Sequence, residues 1–311
     1  MTPRHTLHAM QAHVGWDRRL EPALVVDPGT TIELEVRDSS GGQLDPSSPP
    51  EALESLDMAR VNPTTGPVRV DGAQAGDALV VKVEHLEPTG GWGWTGVIPG
   101  FGLLADDFEA PALHHWELDG RAPAAFGDVA RVPQRPFPGT IGLAPAAPGP
   151  HPVIPPRRVG GNLDTRDLTA GTTLRLPVEV EGALFSLGDT HAAQGDGEVC
   201  GTAIETPMTA VVTLDVEAGA APAFPTFETV APHRGPEVND GVLATTGIGP
   251  DLMGAARDAT RGMIELLQQR TGVTAAQAYI LSSVAADLRI SEIVDAPNWV
   301  VTCALPKAIL T

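Results

Sequence analysis

The sequence predicts a mainly β protein: a jelly-roll-like β-sandwich body, a smaller β-barrel-like part and a C-terminal α+β segment. Three observations predict it. The 311 residues hold 34 glycines and 30 prolines, which calls for many turns and short strands. A turn followed by alternating apolar residues occurs in DPGTTIELEV (27–36) and TAGTTLRLPV (169–178), with a looser copy in QAGDALVVKV (74–83). The copies are irregularly spaced, which suits paired strands of a sandwich rather than a solenoid. Helical periodicity begins only near Asp251.

Taken in order, residues 1–20 read as an N-terminal strand carrying His5, His8 and His13, with Trp16 and Asp17 beside the last. Asp27-Pro28-Gly29 turns the chain into a half-buried strand in which Ile32, Leu34 and Val36 alternate with polar residues and Asp38 ends the run. A long loop follows, with a short helix around Glu51 to Met58. Val68 and Val70, then Leu79, Val81 and Val83 beyond the Gly76-Asp77 turn, form a strand pair. The stretch Gly90 to Leu104 is rich in glycine and carries Trp92 and Trp94. It reads either as a roof of rigid rings over a small pocket or as a core-packed loop.

His114 and His115 fall on a strand, where adjacent side chains point to opposite faces and make a poor metal pair. From Pro133 to Arg158 prolines dominate, predicting extended chain over the surface and a boundary. The expected division is 1–158, a mostly β part; 159–220, an acidic catalytic core continuing the sandwich; and 221–311, an α+β part. After Val216 the chain reads as polar loop through 233–241. A helix from Asp251 to Arg270 buries Leu252, Ala256, Ala259, Met263 and Leu267 and stops at Gly272. Thr274 caps a second helix, and NWVVTCALP closes the chain as a strand.

A net charge of −19 argues against gripping a phosphate backbone or an anionic membrane, so neither nucleic acid nor membrane is an expected partner. Cys200 and Cys303 are too few for a disulfide framework. With no apolar leader at the N-terminus, the expected setting is the reduced cytoplasm.

The chemistry concentrates between Gly160 and Glu205, in GGNLDTRDL and GALFSLGDTHAAQGDGEVCGTAIE. Ala183–Leu187 and Val199–Ile204 read as strands around a loop from Gly188 to Gly197. If the first strand runs on, Asp189 and His191 share a face; by the same rule Asp196 and Glu198 share another. A carboxylate beside an imidazole suits a divalent ion such as zinc, and the second carboxylate pair can carry protons. The plain alternative is a solvated Gly/Asp hairpin.

These segments, with NPTTGPVRVDGA, GVIPGFGLL and SEIVDAPNWVVTCALPK, run collinearly through nearly the whole chain and resemble the acetamidase/formamidase family. The resemblance implies hydrolysis of short aliphatic amides, formamide and acetamide, to a carboxylate and ammonia. It also implies a sandwich-containing fold with small extra domains and a bound divalent metal. Amide hydrolysis needs an activated water, a polarised carbonyl and a proton for the leaving nitrogen. The expected ligands are Asp189 and His191 with Asp164 as a third. Glu198, Asp196 and Asp38 are the candidates for proton transfer, and Asn162, Gln194, Trp92 and Trp94 for binding the substrate. Zinc is the expected metal, with calcium as the alternative, and a homodimer or higher homo-oligomer is expected. A pocket narrowed by the two tryptophans predicts efficiency that falls as the acyl chain lengthens. Two other readings stay open. Cys200 can be the nucleophile of a thiol amidase, against the usual inert role of a buried cysteine. The chain can also be a calcium-containing ligand-binding sandwich, although His191 is a poor ligand for calcium.

Overall fold

The computed structural model describes residues 5–120, 122–229, 241–292, 297 and 299–311. Two six-stranded sheets face each other. The first runs in the order His5–Leu7, Thr30–Val36, Met208–Glu217, Ala78–Pro88, Thr173–Pro177, Thr226–Glu228. All three turn-and-alternation copies supply strands to this sheet, Thr30–Val36, Ala78–Pro88 and Thr173–Pro177. Their period of two sends Ile32, Leu34, Leu79, Val81, Leu174 and Leu176 inward, where each is fully buried.

The second sheet runs Gly160–Asn162, Phe137–Gly142, Phe185–His191, Thr64–Val70, Ala12–His13, with Leu24–Val26 also pairing with Thr64–Val70. Val68, Ile141, Phe185 and Leu187 reach from it into the same core as Ile32, Leu34, Val81 and Val212 of the first. Strands from both sides of residue 158 build each sheet. The proline-rich region is a correction to the sequence reading. Within it Phe137–Gly142 is a buried strand, paired with Phe185–His191 so that Pro138 stands opposite Thr190. Buried on both faces, it shows no alternation to read.

The C-terminal layer is a three-stranded sheet, Val242–Gly249, Trp299–Pro306 and Asp287–Glu292, covered by helices Leu252–Thr271 and Ala275–Ala285. Its helix signals are all used. Asp251 accepts from the Gly254 amide at 2.7 Å, Gly272 stops the first helix at φ 73°, and Thr274 with Gln277 forms a capping box. Ala256, Ala259, Met263 and Leu267 are buried in a second core with Tyr279 and Leu281. The short helix expected at Glu51 to Met58 is a pair of 3-10 turns, Pro50–Ser55 and Met58–Arg60.

Two expectations change. In place of a barrel-like part stand two-stranded pairs, Trp92–Val97 with Ala112–Glu117 and Ala124–Phe126 with Ala130–Val132, and no sheet closes into a barrel among the described residues. Val199–Ile204 is not a strand. Left-handed backbone at Gly197, Glu198 and Gly201 breaks the extended conformation there. The loop expected after Val216 through 241 contains a short strand, Thr226–Glu228, that pairs with Thr173–Pro177, and its stretch 230–240 lies outside the described residues. Among those residues no helix is long and apolar enough to cross a membrane.

Candidate metal centre and active site

Strand Phe185–His191 is buried along its whole length and does run past Gly188. Asp189 and His191 therefore meet, with His191 Nε2 3.4 Å from Asp189 Oδ1. Beyond His191 the chain folds back irregularly, and a single bridge sets Glu205 opposite His191. Glu205 Oε2 comes to 3.3 Å from the same Nε2. The neighbouring strand contributes by close approach. A Cβ at Gly139 would lie 2.6 Å from His191 Cε1 and 2.6 Å from Asp164 Oδ1, so only glycine leaves room for the cluster. Asp164 follows strand Gly160–Asn162, its amide held by the Gly139 carbonyl at 3.1 Å.

A polar frame orients these groups. Thr140 donates to Asn162 Oδ1 at 2.6 Å and lies 3.3 Å from Asp189 Oδ2; Asn162 Nδ2 donates to Asp164 Oδ2 at 2.8 Å. Gln194 Nε2 donates to the Asp164 carbonyl at 2.8 Å, which leaves its Oε1 to face His191 Nδ1 at 3.0 Å. An acceptor at Nδ1 puts the proton of a neutral ring there and turns the Nε2 lone pair toward the carboxylates. Three buried atoms, Asp164 Oδ1, His191 Nε2 and Glu205 Oε2, have no hydrogen-bond partner. Orphaned polar atoms are costly to bury, and here they converge. Asp164, Asp189 and His191 form one group able to hold a metal, and His191, Glu198 and Glu205 form another. Carboxylate oxygens with one imidazole fit a divalent ion.

Crowding of acids shifts their protonation. Burial, then the charge of Asp189, pushes Asp164 up to about 7. Burial raises Asp189 with Glu205 adding to it, and raises Glu198 well above the carboxylate range with Asp164 adding to it. Burial opposes the imidazolium of His191, yet Glu205 and Asp189 together lift it well above its usual value. Burial also opposes ionisation of Glu205, but the His191 charge and hydrogen bonds hold its carboxyl below the usual range. A buried cation relieves this repulsion.

The cluster opens into a cavity of about 350 Å³. Asn62, Asn162, Asp164, Asp189, Glu198 and Glu205 line its polar part, and Leu53, Leu56, Trp94, Ile98, Phe101 and Ile154 much of the rest. Leu53 and Trp94 belong to a small core of their own, with Leu56 and Ile98 packed on it. Asp164, Asp189, His191 and Glu198 are thus brought together as the sequence suggested, with Asn162 and Trp94 on the cavity wall. Others are not. Asp196 turns away from Glu198 and lies 3.4 Å from the Arg166 guanidinium, because the left-handed turn at Gly197 and Glu198 undoes the shared strand face. Asp38 binds the Ser40 amide and hydroxyl and takes the Trp94 indole N–H at 3.2 Å, so it positions a wall residue. Gln194 braces His191 instead of lining the cavity, and Trp92 packs against the small core that holds Trp94 without lining the cavity itself. The cavity is also wider than the narrow slot expected under the two tryptophans.

Cys200 is fully buried, with Sγ 3.5 Å from the Gly96 carbonyl, and burial raises its thiol, which is the environment of an inert cysteine. Glu205 is the member of this cluster that sequence reasoning did not name as a candidate ligand. It lies in the same acidic stretch, but only the fold-back after His191 brings it home. Asn62 was missed as well; its signal is the NPTTG run, where it takes a left-handed φ of 50°.

Comparison with known proteins agrees in extent. The model of the Acetamidase/Formamidase family matches residues 2–152 and 149–311. The acetamidase of Mycolicibacterium smegmatis is 27% identical over 88% of this chain and 85% of its own. The formamidase of Methylophilus methylotrophus is 28% identical over 96% of this chain and 89% of its own. Among solved structures, a gamma lactamase from Delftia acidovorans superposes with a TM-score of 0.89 at 26% identity, covering 98% of this chain and 93% of that one. An acetamidase from Bacillus halodurans gives 0.69 at 32% identity, covering 96% of each.

Proposed function

The chain belongs to the acetamidase/formamidase family, and from that membership we propose how its buried acidic cluster cleaves an amide. It is an amidase acting on carbon–nitrogen bonds. The observation that carries the mechanism is the convergence of three buried atoms without a hydrogen-bond partner, Asp164 Oδ1, His191 Nε2 and Glu205 Oε2, the last two 3.3 Å apart. We assign them, with Asp189, as the ligands of a divalent metal, zinc. Such an ion supplies Lewis acidity and an activated water at neutral pH. The chain's own residues do the rest. Gln194 holds the His191 tautomer, and Asn162 with Thr140 fixes the Asp164 and Asp189 carboxylates. Glu198 lines the cavity beside the ligands and carries the proton from the attacking water to the departing nitrogen. As water adds to the carbonyl carbon and the C–N bond breaks, the nitrogen leaves as ammonia and the acyl group as a carboxylate. Formamide and acetamide are the smallest amides that meet these requirements.

The experiment is ammonia release from acetamide before and after chelation, with zinc added back. Activity lost on chelation and restored by zinc is expected, and His191→Ala should lose metal and turnover together. Full turnover in that variant removes the metal assignment. A second reading, in which the scissile amide sits within a ring, is favoured by the TM-score of 0.89 to the gamma lactamase against 0.69 to the acetamidase. It is checked by the ring-opened amino acid from a simple γ-lactam.

A further inference from the structure

We infer that the preferred substrate is an uncharged amide bearing a compact apolar group of about five to seven heavy atoms beyond an acetamide-sized unit, and that formamide and acetamide are poor substrates by comparison. The inference rests on the amide-hydrolase reading above and takes it further, to the group attached to the scissile amide. Volume comes first. At about 30 Å³ per heavy atom, the liquid share of a water, acetamide fills about 120 Å³. The cavity holds about 350 Å³, so most of it lies outside the reacting group.

The nature of the surplus space decides what fills it. Leu53, Leu56, Trp94, Ile98, Phe101 and Ile154 face it, and no lysine or arginine lines it among the described residues. Four carboxylates, Asp164, Asp189, Glu198 and Glu205, stand at the polar part. The proposed metal lies among those acids, so an anionic group out in the surplus space would find no lysine or arginine to receive it, in a chain already at −19. A neutral hydrocarbon body meets apolar side chains.

The wall is built, not accidental. A Cβ at Gly96 would lie 2.9 Å from Leu53 Cδ1, so the missing side chain lets Leu53 seat against the strand. The Trp94 indole is tied to Asp38, which fixes its ring in the wall. A Cβ at Gly201 would lie 2.4 Å from Phe101 Cε1, so the Phe101 ring rests directly on that backbone. These are rigid contacts of the kind that select shape.

Each methylene seated in an apolar pocket is worth about tenfold or more in discrimination. The test measures kcat/KM on the zinc-loaded enzyme for acetamide, cyclohexanecarboxamide and the 4-carboxylate derivative of the latter. Cyclohexanecarboxamide is expected to exceed acetamide by about 100-fold or more, with the anionic derivative back near acetamide. Leu56→Trp, which adds bulk to the apolar wall, should cut the cyclohexanecarboxamide-to-acetamide ratio by about tenfold or more. Acetamide at parity with or above cyclohexanecarboxamide in the wild type overturns the inference while leaving the amidase reading standing. So does an anionic derivative turned over as well as the neutral one. Ammonia from none of the three substrates overturns the amidase reading itself, which separates the two failures.

Discussion

Gln194 Oε1 stands 3.0 Å from Nδ1 of His191, while its own amide N–H is committed to the Asp164 carbonyl. One side chain therefore sets both the ring tautomer and the position of a second proposed ligand, Asp164. Gln194→Ala should leave the fold intact and weaken binding of the proposed zinc by about 10–100-fold, the usual effect of losing such a brace. Competition against a chelating dye measures it, and unchanged affinity would remove Gln194 from the frame.

Gly139→Ala should be more severe than its single methyl suggests. The added carbon would fall 2.6 Å from Asp164 Oδ1 and His191 Cε1 and 2.8 Å from the Asp189 carbonyl. Overpacking of this kind costs about 1–3 kcal/mol, and here the displaced atoms are proposed ligands. Substoichiometric zinc in the purified variant, together with a lower Tm, is the expected result.

Much of this was legible in the sequence wherever a local rule decides the structure. The turn before Thr30 and that before Thr173 launch strands whose alternation is real, because one face is core and the other is not. Asp251, Gly272, Thr274 and Gln277 mark helix ends by chemistry that acts within one turn. The failures share a cause. Phe137–Gly142 is a strand buried on both faces, and its prolines mask it. Val199–Ile204 is apolar because Val199, Cys200 and Ile204 pack beneath the helices, and not because the backbone is extended. Glu205 reaches His191 through one long-range bridge that no spacing encodes.

Cys200→Ala should retain most turnover. The thiol is fully buried, held toward the Gly96 and Thr202 carbonyls, and does not line the cavity. A loss of about 1–2 kcal/mol in stability is expected from the emptied sulfur site. Burst release of ammonia from the wild type, abolished in this variant, would instead mark an acyl-enzyme on sulfur.

His114 gives the protein an acid limit of its own, away from the cluster. Its ring packs against Trp116 at 4.5 Å and Phe126 at 4.4 Å, and burial lowers its pKa to about 4. With the folded value below the unfolded one near 6.5, stability is fully present above about pH 6.5 and is lost as pH falls toward 4. Allowing for partial exposure, the loss is on the order of 2 kcal/mol. His114→Phe should flatten the Tm profile between pH 6.5 and 4. An unchanged slope would assign the acid limit to other groups.

The strand that carries the cluster also ties together two cores. Phe185 and Leu187 pack into the sandwich core, whereas Ala192, Ala193 and Ile204 pack under the helices. His191 stands between, within a few residues of both. Without a ligand at that junction, the two cores are expected to open as separate cooperative units, each with its own amide-exchange protection. A ligand that binds only the assembled cluster must stabilise both at once, by an amount set by its concentration over its Kd. The amides of Leu187 and Ile204, slowed by different cores in the apo protein, should then exchange in a single shared opening.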